Sequence, residues 1–324
     1  MNKFLEFLKE LGVMHTVKAP ISQFSTMKVG GVADVLVTAK TEEHLVAVVQ
    51  KAHDLGIDYY VVGGLSNTVF SDEPFHGVVI LSQLEKMDIH ENGEVVMGAG
   101  VTTAVGASKI SNAGLQGFEW AAGVPGKIGG AIVGNAGALG GEMKDSCVSV
   151  RVYDVDAREI RVLSVEECQF AYRESRFKNE ANLIILDATF YFKPGDVAIS
   201  RELIMKALQY RNTTQPKGVV SCGCMFKNYE VSEDEVAVLR AAGVKEEFLE
   251  KRLVPAGYLI QECGLKGFRM GQAQVSELHG NFLVNLGGAQ VSELRDLVDF
   301  VKAKVRAQFG VELHEEVRYI GDRD

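Results

Sequence analysis

Two cysteines separated by one glycine stand in the stretch VVSCGCMFKN, residues 219–228. Thiols can ligate a metal, pair as a disulfide, act as acids or fill a core. Side chains alternate along an extended strand, so Cys222 and Cys224 are expected to face the same side. A zinc site needs about four ligands, and no nearby His or Cys completes the pair at usual spacings, so no metal is expected. A disulfide across a single glycine would be strained. Cys222 is expected to be a small packing residue.

Two glycine-rich stretches offer a different chemistry. In VGGLSNT (62–68), two glycines and then small polar residues follow a strand-like run. With no Cβ in the way, successive backbone N–H groups can converge there on an anion, although the same residues also suit a tight turn. The second stretch, AAGVPGKIGGAIVGNAGALGGEM (121–143), holds eight glycines. A phosphate or a flat-ring cofactor could lie against such a backbone, or a helix could need small residues to pack closely. Neither stretch carries G-x-G-x-x-G, and nothing matches G-x-x-x-x-G-K-[ST], which disfavours a Rossmann nicotinamide fold and a P-loop ATPase. Basic residues gather nearby: Arg173, Arg176 and Lys178 in AYRESRFK; Arg211, Lys217 and Lys227 around the cysteines; Lys266 and Arg269 in GLKGFRMG. Clusters flanking low-charge glycine runs point to a multiply anionic ligand, with a solvated face as the plain alternative.

These residues must be held by ordinary elements, and the chain has the composition for them. At 324 residues, 47% hydrophobic and 24% charged, it can hold a sizeable core and is expected to form two or three domains. A net charge of −9 argues against general nucleic-acid or anionic-membrane affinity. Five cysteines (147, 168, 222, 224, 263) do not form a disulfide framework. MNKFLEFLKELG reads as a short amphipathic helix, because Lys3, Glu6, Lys9 and Glu10 interrupt any signal-peptide core. No run approaches a membrane span, and the chain is expected in the cytoplasm.

Periodicity predicts strands at 33–39 and 58–64 around a helix at 41–56, then strands in GVVIL and GEVVMGAG and a helix in TTAVGASKISNAG. The span from Cys147 to about Lys193 is strand-rich, and a helix (199–211) leads to the cysteines. The remainder predicts an α+β unit with helices near 232–242, 246–252, 256–263 and 291–308 and strands near 282–286 and 315–320.

VGGLSNTVFSDEPFHGVVI, FEWAAGVPGKIGGAIVGNAGALGGEM, AYRESRFK, GCMFKN, AGYLIQECGLKGFRMGQAQVSELHGNFLVN and FGVELHEEVRYIG follow one another in an order that resembles the UDP-N-acetylenolpyruvoylglucosamine reductase (MurB) family. The likeness runs from about Thr26 to Gly321. It implies an α+β fold: a two-part FAD-binding domain of the flavin oxidase (PCMH) type over 1–197, split near 72, and a C-terminal α+β substrate-binding domain over 198–324. It further implies that NADPH reduces FAD and that the enolpyruvyl double bond of UDP-N-acetylglucosamine enolpyruvate is then reduced, giving UDP-N-acetylmuramate for peptidoglycan.

Carried over by motif, the resemblance assigns cofactor binding to Thr26, Gly30 and Gly31, to Gly63, Gly64, Leu65, Ser66, Asn67 and Thr68, and to Gly123, Val124, Pro125, Gly126, Gly129, Gly130, Asn135, Ala136 and Gly137. Arg173 matches the family's active-site arginine and Glu316 its catalytic glutamate, while Cys224 stands where the family usually has a proton-donating serine. Lys217, Asn228 and Lys266 are its substrate-binding candidates. The chemistry suits these types: a guanidinium stabilises enolate charge beside a carboxylate, and a positioned acid protonates the adjacent carbon.

Three departures stand out. Leu65 replaces a common third glycine, which is expected to reshape the pyrophosphate turn modestly. FKNEANLIILDATF leaves no room for the tyrosine loop that some members insert, which places the chain in the shorter-loop subtype. The charged link from Asn228 to Ala256 reads as a lid or a decoration. Two other functions share the resemblance: a flavin oxidase of the same cofactor fold, and a non-catalytic UDP-sugar or flavin binder that has lost its serine.

Overall fold

In the computed structural model, which describes residues 1–321, the chain packs into two compact units. The first comprises Met1–Ala19, Ala33–Gly64 and Pro74–Arg211, and the second Pro20–Val32, Leu65–Glu73 and Asn212–Asp324. Packing thus groups two short N-terminal stretches with the C-terminal third, a grouping that a linear boundary at 197/198 does not express.

The first unit holds two sheets. One is four-stranded, in the order Met14–Pro20, Val32–Ala39, Phe75–Ser82, Tyr59–Val62. Its last three strands run parallel, as expected when the helix Glu42–Asp54 supplies the crossover. That helix starts where Thr41 accepts the His44 N–H and buries Leu45, Val48, Val49 and Ala52 on one face. The amphipathic N-terminal helix is Asn2–Leu11, which buries Phe4 and Leu8 in the same core and ends at left-handed Gly12.

The other sheet is five-stranded and antiparallel: Glu159–Ser164, Cys147–Asp154, Leu183–Tyr191, Glu94–Gly98, Met87–Ile89. A second core lies against it, including Phe118, Ile128, Ile132, Val150, Val152, Phe190 and Phe192. Only residues 179–182 separate the one-turn helix Arg176–Lys178 from the strand Leu183–Tyr191, so no inserted loop stands there.

The second unit is organised by the helix Val291–Phe309. A capping box of Gln290 and Glu293 starts it, left-handed Gly310 ends it, and its apolar face sinks Leu294, Leu297, Val298, Val301 and Val305 into the unit's core. Beside it lies a small antiparallel sheet of Arg269–Met270, Ala273–Val275 and Leu283–Asn285. The last strand, Arg318–Ile320, pairs in parallel with Thr68–Phe70, which is what binds the 65–73 stretch into this unit. The link 229–255 folds into the helices Val236–Ala241 and Glu246–Glu250, closed by pairing of Tyr229–Glu230 with Leu253–Val254.

The expected strand through Cys222 and Cys224 does not form. Gly223 adopts φ 85, a left-handed conformation incompatible with an extended run, and only isolated bridges remain at Val220, Cys224 and Phe226. The alternation argument therefore fails. Cys222 is buried, whereas Cys224 is half-buried. Among the described residues no helix is long and apolar enough to cross a membrane, and no group of three or more His, Cys, Asp or Glu is arranged to hold a metal.

Candidate active site

In the first unit the glycine stretches meet. A Cβ on Gly64 would lie 3.7 Å from the Gly126 Cα, and one on Gly63 would lie 3.2 Å from the Lys127 Cβ. The turn after Tyr59–Val62 thus runs along the 124–127 segment, whose Gly126 has φ 116. Gly129 packs on Ala99 and donates its N–H to the Ala99 carbonyl (2.9 Å). Gly130 faces open space, with nothing within 4 Å of where a Cβ would be. Val124 is anchored by the Thr103 hydroxyl, which donates to its carbonyl (2.5 Å), and neighbouring Pro125 is exposed. Gly123 leaves room for the Arg211 side chain, which a Cβ would strike. Bare backbone at Gly63, Gly64 and Gly126, with open space at Gly130, suits a large flat or phosphorylated ligand that a row of Cβ atoms would obstruct.

Arg173 belongs to this unit and sits in a tight turn. Ala171 and Glu174 exchange both backbone hydrogen bonds (3.0 and 3.1 Å), and Arg173 takes φ 55, a position that glycine ordinarily fills. Its guanidinium donates to the Gly137 carbonyl (2.8 Å), and its own carbonyl accepts from the Lys178 ammonium (2.6 Å). Asn135 braces the turn. Its buried amide donates to Glu142 (2.7 Å) and to the Ala171 carbonyl (2.9 Å), while its oxygen accepts the Lys144 N–H (3.1 Å). Asn135 therefore devotes both side-chain donors to the protein. Ala136 continues the brace, accepting the Met143 N–H (3.0 Å).

The second unit holds Cys224 and Glu316. Residues 224–227 run between two flanking segments. On one side Cys224 bridges to Phe282, and Met225 donates to the Asn281 carbonyl (2.8 Å). On the other, Phe226 bridges to Glu315, Glu316 donates its N–H to the Met225 carbonyl (2.8 Å), and Lys227 donates to the His314 carbonyl (2.8 Å). Cys222 lies beneath, within electrostatic reach of both Cys224 and Glu316, and burial pushes its thiol up to about 12. Cys222 is thus a core residue that stays protonated, as expected from its type.

The cofactor candidates of this unit are engaged with the protein. Asn67 donates its amide to the Glu316 carbonyl (3.0 Å), and Thr68 opens the strand that pairs with Arg318. Leu65 takes a left-handed backbone, with φ 48, a conformation that glycine ordinarily fills. The Thr26 hydroxyl donates to the Leu65 carbonyl (3.2 Å), and Ser66 follows directly. Gly30 has φ 112, and a Cβ on Gly31 would strike the carbonyls of Asp72 and Glu73, so both glycines answer to a close approach of the chain to itself.

Of the substrate candidates, Lys217 is exposed and Lys266 is half-buried, close enough to lower the pKa of His279, which burial already depresses. Asn228 turns its side-chain oxygen to the Ala256 N–H (3.3 Å) at the start of the helix Ala256–Glu262. Sequence reasoning missed Asn281, in HGNFLVN. The signal was a polar side chain between a glycine and an apolar run, a residue that must find partners once buried.

Two family models match the chain: an FAD binding domain over residues 33–163, and the C-terminal domain of UDP-N-acetylenolpyruvoylglucosamine reductase over 215–320. They agree with the expected α+β fold of a cofactor domain followed by a C-terminal domain. The UDP-N-acetylenolpyruvoylglucosamine reductase of Clostridium perfringens (strain SM101 / Type A) is 35% identical, with 99% of each chain covered. That of Bacillus subtilis (strain 168) is 32% identical, again with 99% of each covered. The crystal structure of the Thermus caldophilus enzyme superposes with a TM-score of 0.73 at 30% identity, covering 95% of this chain and 98% of that one. Likeness over the full length, in sequence and in fold, makes this chain a member of the UDP-N-acetylenolpyruvoylglucosamine reductase family.

Proposed function

We propose that this protein is the FAD-dependent reductase of its family, which uses NADPH to convert UDP-N-acetylglucosamine enolpyruvate to UDP-N-acetylmuramate in the cytoplasm, for peptidoglycan synthesis, cell shape and division. The observation that carries the reading is the fixing of Cys224 and Glu316 on adjoining segments over a buried Cys222.

FAD, when bound, supplies hydride chemistry fed by NADPH. The bare backbone of Gly63, Gly64, Gly126 and Gly130 supports holding it, and the Thr26–Gly31 and Leu65–Thr68 stretches share the role in this proposal. Arg173 stabilises the negative charge that develops on the enolpyruvyl carboxylate, because its guanidinium is a fixed, permanently charged fork. The Cys224 thiol gives its proton to the carbon beside that carboxylate and is left as a thiolate. Glu316 assists that proton delivery. Lys217, Asn228 and Lys266 contribute to binding the anionic UDP-sugar.

The test is anaerobic. The purified protein should be yellow and should release its flavin on acid precipitation. Once NADPH has bleached the bound flavin, adding UDP-N-acetylglucosamine enolpyruvate should restore its colour rapidly. Fast recovery with oxygen and none with the sugar would instead make it an oxidase, and bound ligand without turnover a binding protein.

A further inference from the structure

We propose that Asn281 is a positioning residue for Cys224, an inference that rests on the donor role proposed above. Cys224 lies outside any regular strand, since left-handed Gly223 precedes it, and an isolated bridge joins it to Phe282. A donor must be held to a fraction of an ångström, so what fixes the backbone of its segment bears on the reaction.

Asn281 does part of this fixing. Its side-chain oxygen accepts the Phe226 N–H (2.8 Å), and its amide nitrogen donates to the Phe226 carbonyl (2.8 Å). The side chain thus pairs with Phe226 as a peptide group of a neighbouring strand would. Its backbone carbonyl accepts the Met225 N–H (2.8 Å). Three hydrogen bonds therefore tie residues 225–226 to one buried residue. Asn281 is itself locked: its N–H donates to the His279 ring (3.2 Å), and Phe282 closes the turn by donating to the His279 carbonyl (3.0 Å).

The strand ladder cannot do this work. The strand Leu283–Asn285 begins only after Phe282, pairing with Ala273–Val275. Asn281 stands just before that strand, and its side chain pairs with Phe226 as a rung of backbone would. Phe226 also bridges to Glu315 and Met225 accepts from Glu316, so the same clamp sets the register of the thiol against the carboxylate. All three hydrogen bonds go to the backbone of residues 225–226, so Asn281 acts on the reaction through the segment that carries Cys224.

The experiment follows both half-reactions of the FAD-loaded protein by anaerobic stopped flow, for the parent, Asn281→Ala and the milder Asn281→Ser, in which a hydroxyl can keep one of the two side-chain bonds. Flavin reduction by NADPH should proceed at the parent's rate. Reoxidation by UDP-N-acetylglucosamine enolpyruvate should slow by about tenfold to a hundredfold in Asn281→Ala, the scale of a misplaced reacting group, and by less in Asn281→Ser. The solvent deuterium isotope effect on that step should rise as proton transfer becomes limiting. Parent-like reoxidation, equal losses in both half-reactions, or failure of both variants to fold would each overturn the positioning role. If the parent's own reduced flavin is not reoxidised by the sugar, the proposed function fails first, and this inference falls with it.

Discussion

The Asn67 side-chain amide donates to the backbone carbonyl of Glu316 at 3.0 Å, across 249 positions of sequence. The Asn67 carbonyl in turn accepts the Arg318 N–H (3.1 Å), so one early residue brackets Val317 and pins the backbone directly after Glu316. A residue expected to touch cofactor is thereby also the brace of a catalytic candidate.

Asn67→Ala should therefore have two separable effects. Losing one partly buried hydrogen bond should lower unfolding stability by about 1 kcal/mol, measured by urea denaturation. Substrate-driven flavin reoxidation should also slow more than reduction by NADPH, since the loosened segment carries Glu316. Unchanged stability with parent-like reoxidation would mean the bracket has no consequence.

The two neighbouring cysteines should differ sharply in reactivity. Burial holds the Cys222 thiol up to about 12, so near pH 8 it stays protonated and inert, whereas half-buried Cys224 is open to a small alkylating agent. Iodoacetamide followed by peptide mass mapping should find Cys224 labelled and Cys222 untouched. Cys224→Ala should still accept electrons from NADPH but fail to pass hydride productively to the enolpyruvyl sugar. Cys224→Ser should keep substantial activity, because a serine hydroxyl can give up a proton from the same place. Normal reoxidation in Cys224→Ala would return this stretch to packing.

Most regular elements were legible because their periods are strong. The apolar spacing of Val291, Leu294, Leu297, Val298, Val301 and Val305 reads as a helix with one buried face, and so it folds. The cysteine stretch was misread because a single glycine, Gly223, can leave the extended region without altering the hydrophobic pattern around it. The bracket from Asn67 and the clamp from Asn281 were illegible for another reason. Each depends on pairing between segments far apart in sequence, and a polar residue carries no mark of which distant carbonyl it will meet. The chemistry-bearing types could be named, but the residues that hold them could not.

Leu65 sets two opposing effects against each other. Its left-handed backbone costs a residue with a Cβ about 1–2 kcal/mol, which Leu65→Gly would relieve. Yet the side chain is 3% exposed, and removing a fully buried leucine costs about 2–5 kcal/mol once the residual cavity is included. Glycine also gives the unfolded chain more freedom, which adds to the loss. Burial should win, with a net destabilisation of about 1–3 kcal/mol in urea unfolding. A gain in stability would show that backbone strain dominates at this turn.

Arg173→Lys tests the charge-stabilising role most cleanly. Lysine also carries a Cβ, so the left-handed strain at φ 55 is unchanged and the turn closed by Ala171 and Glu174 should persist. The positive charge is kept as well. What goes is the planar fork, which holds the Gly137 carbonyl and whose two-pronged geometry a lysine ammonium cannot reproduce at a carboxylate. Flavin content and reduction by NADPH should therefore match the parent. Substrate-driven reoxidation should fall about a hundredfold, or about 3 kcal/mol of transition-state stabilisation. The loss should appear in the rate at saturating sugar as well as in the concentration needed, because a contact that strengthens as charge develops acts on the chemical step. Parent-like turnover would remove Arg173 from the reaction and leave it as the brace of its own turn.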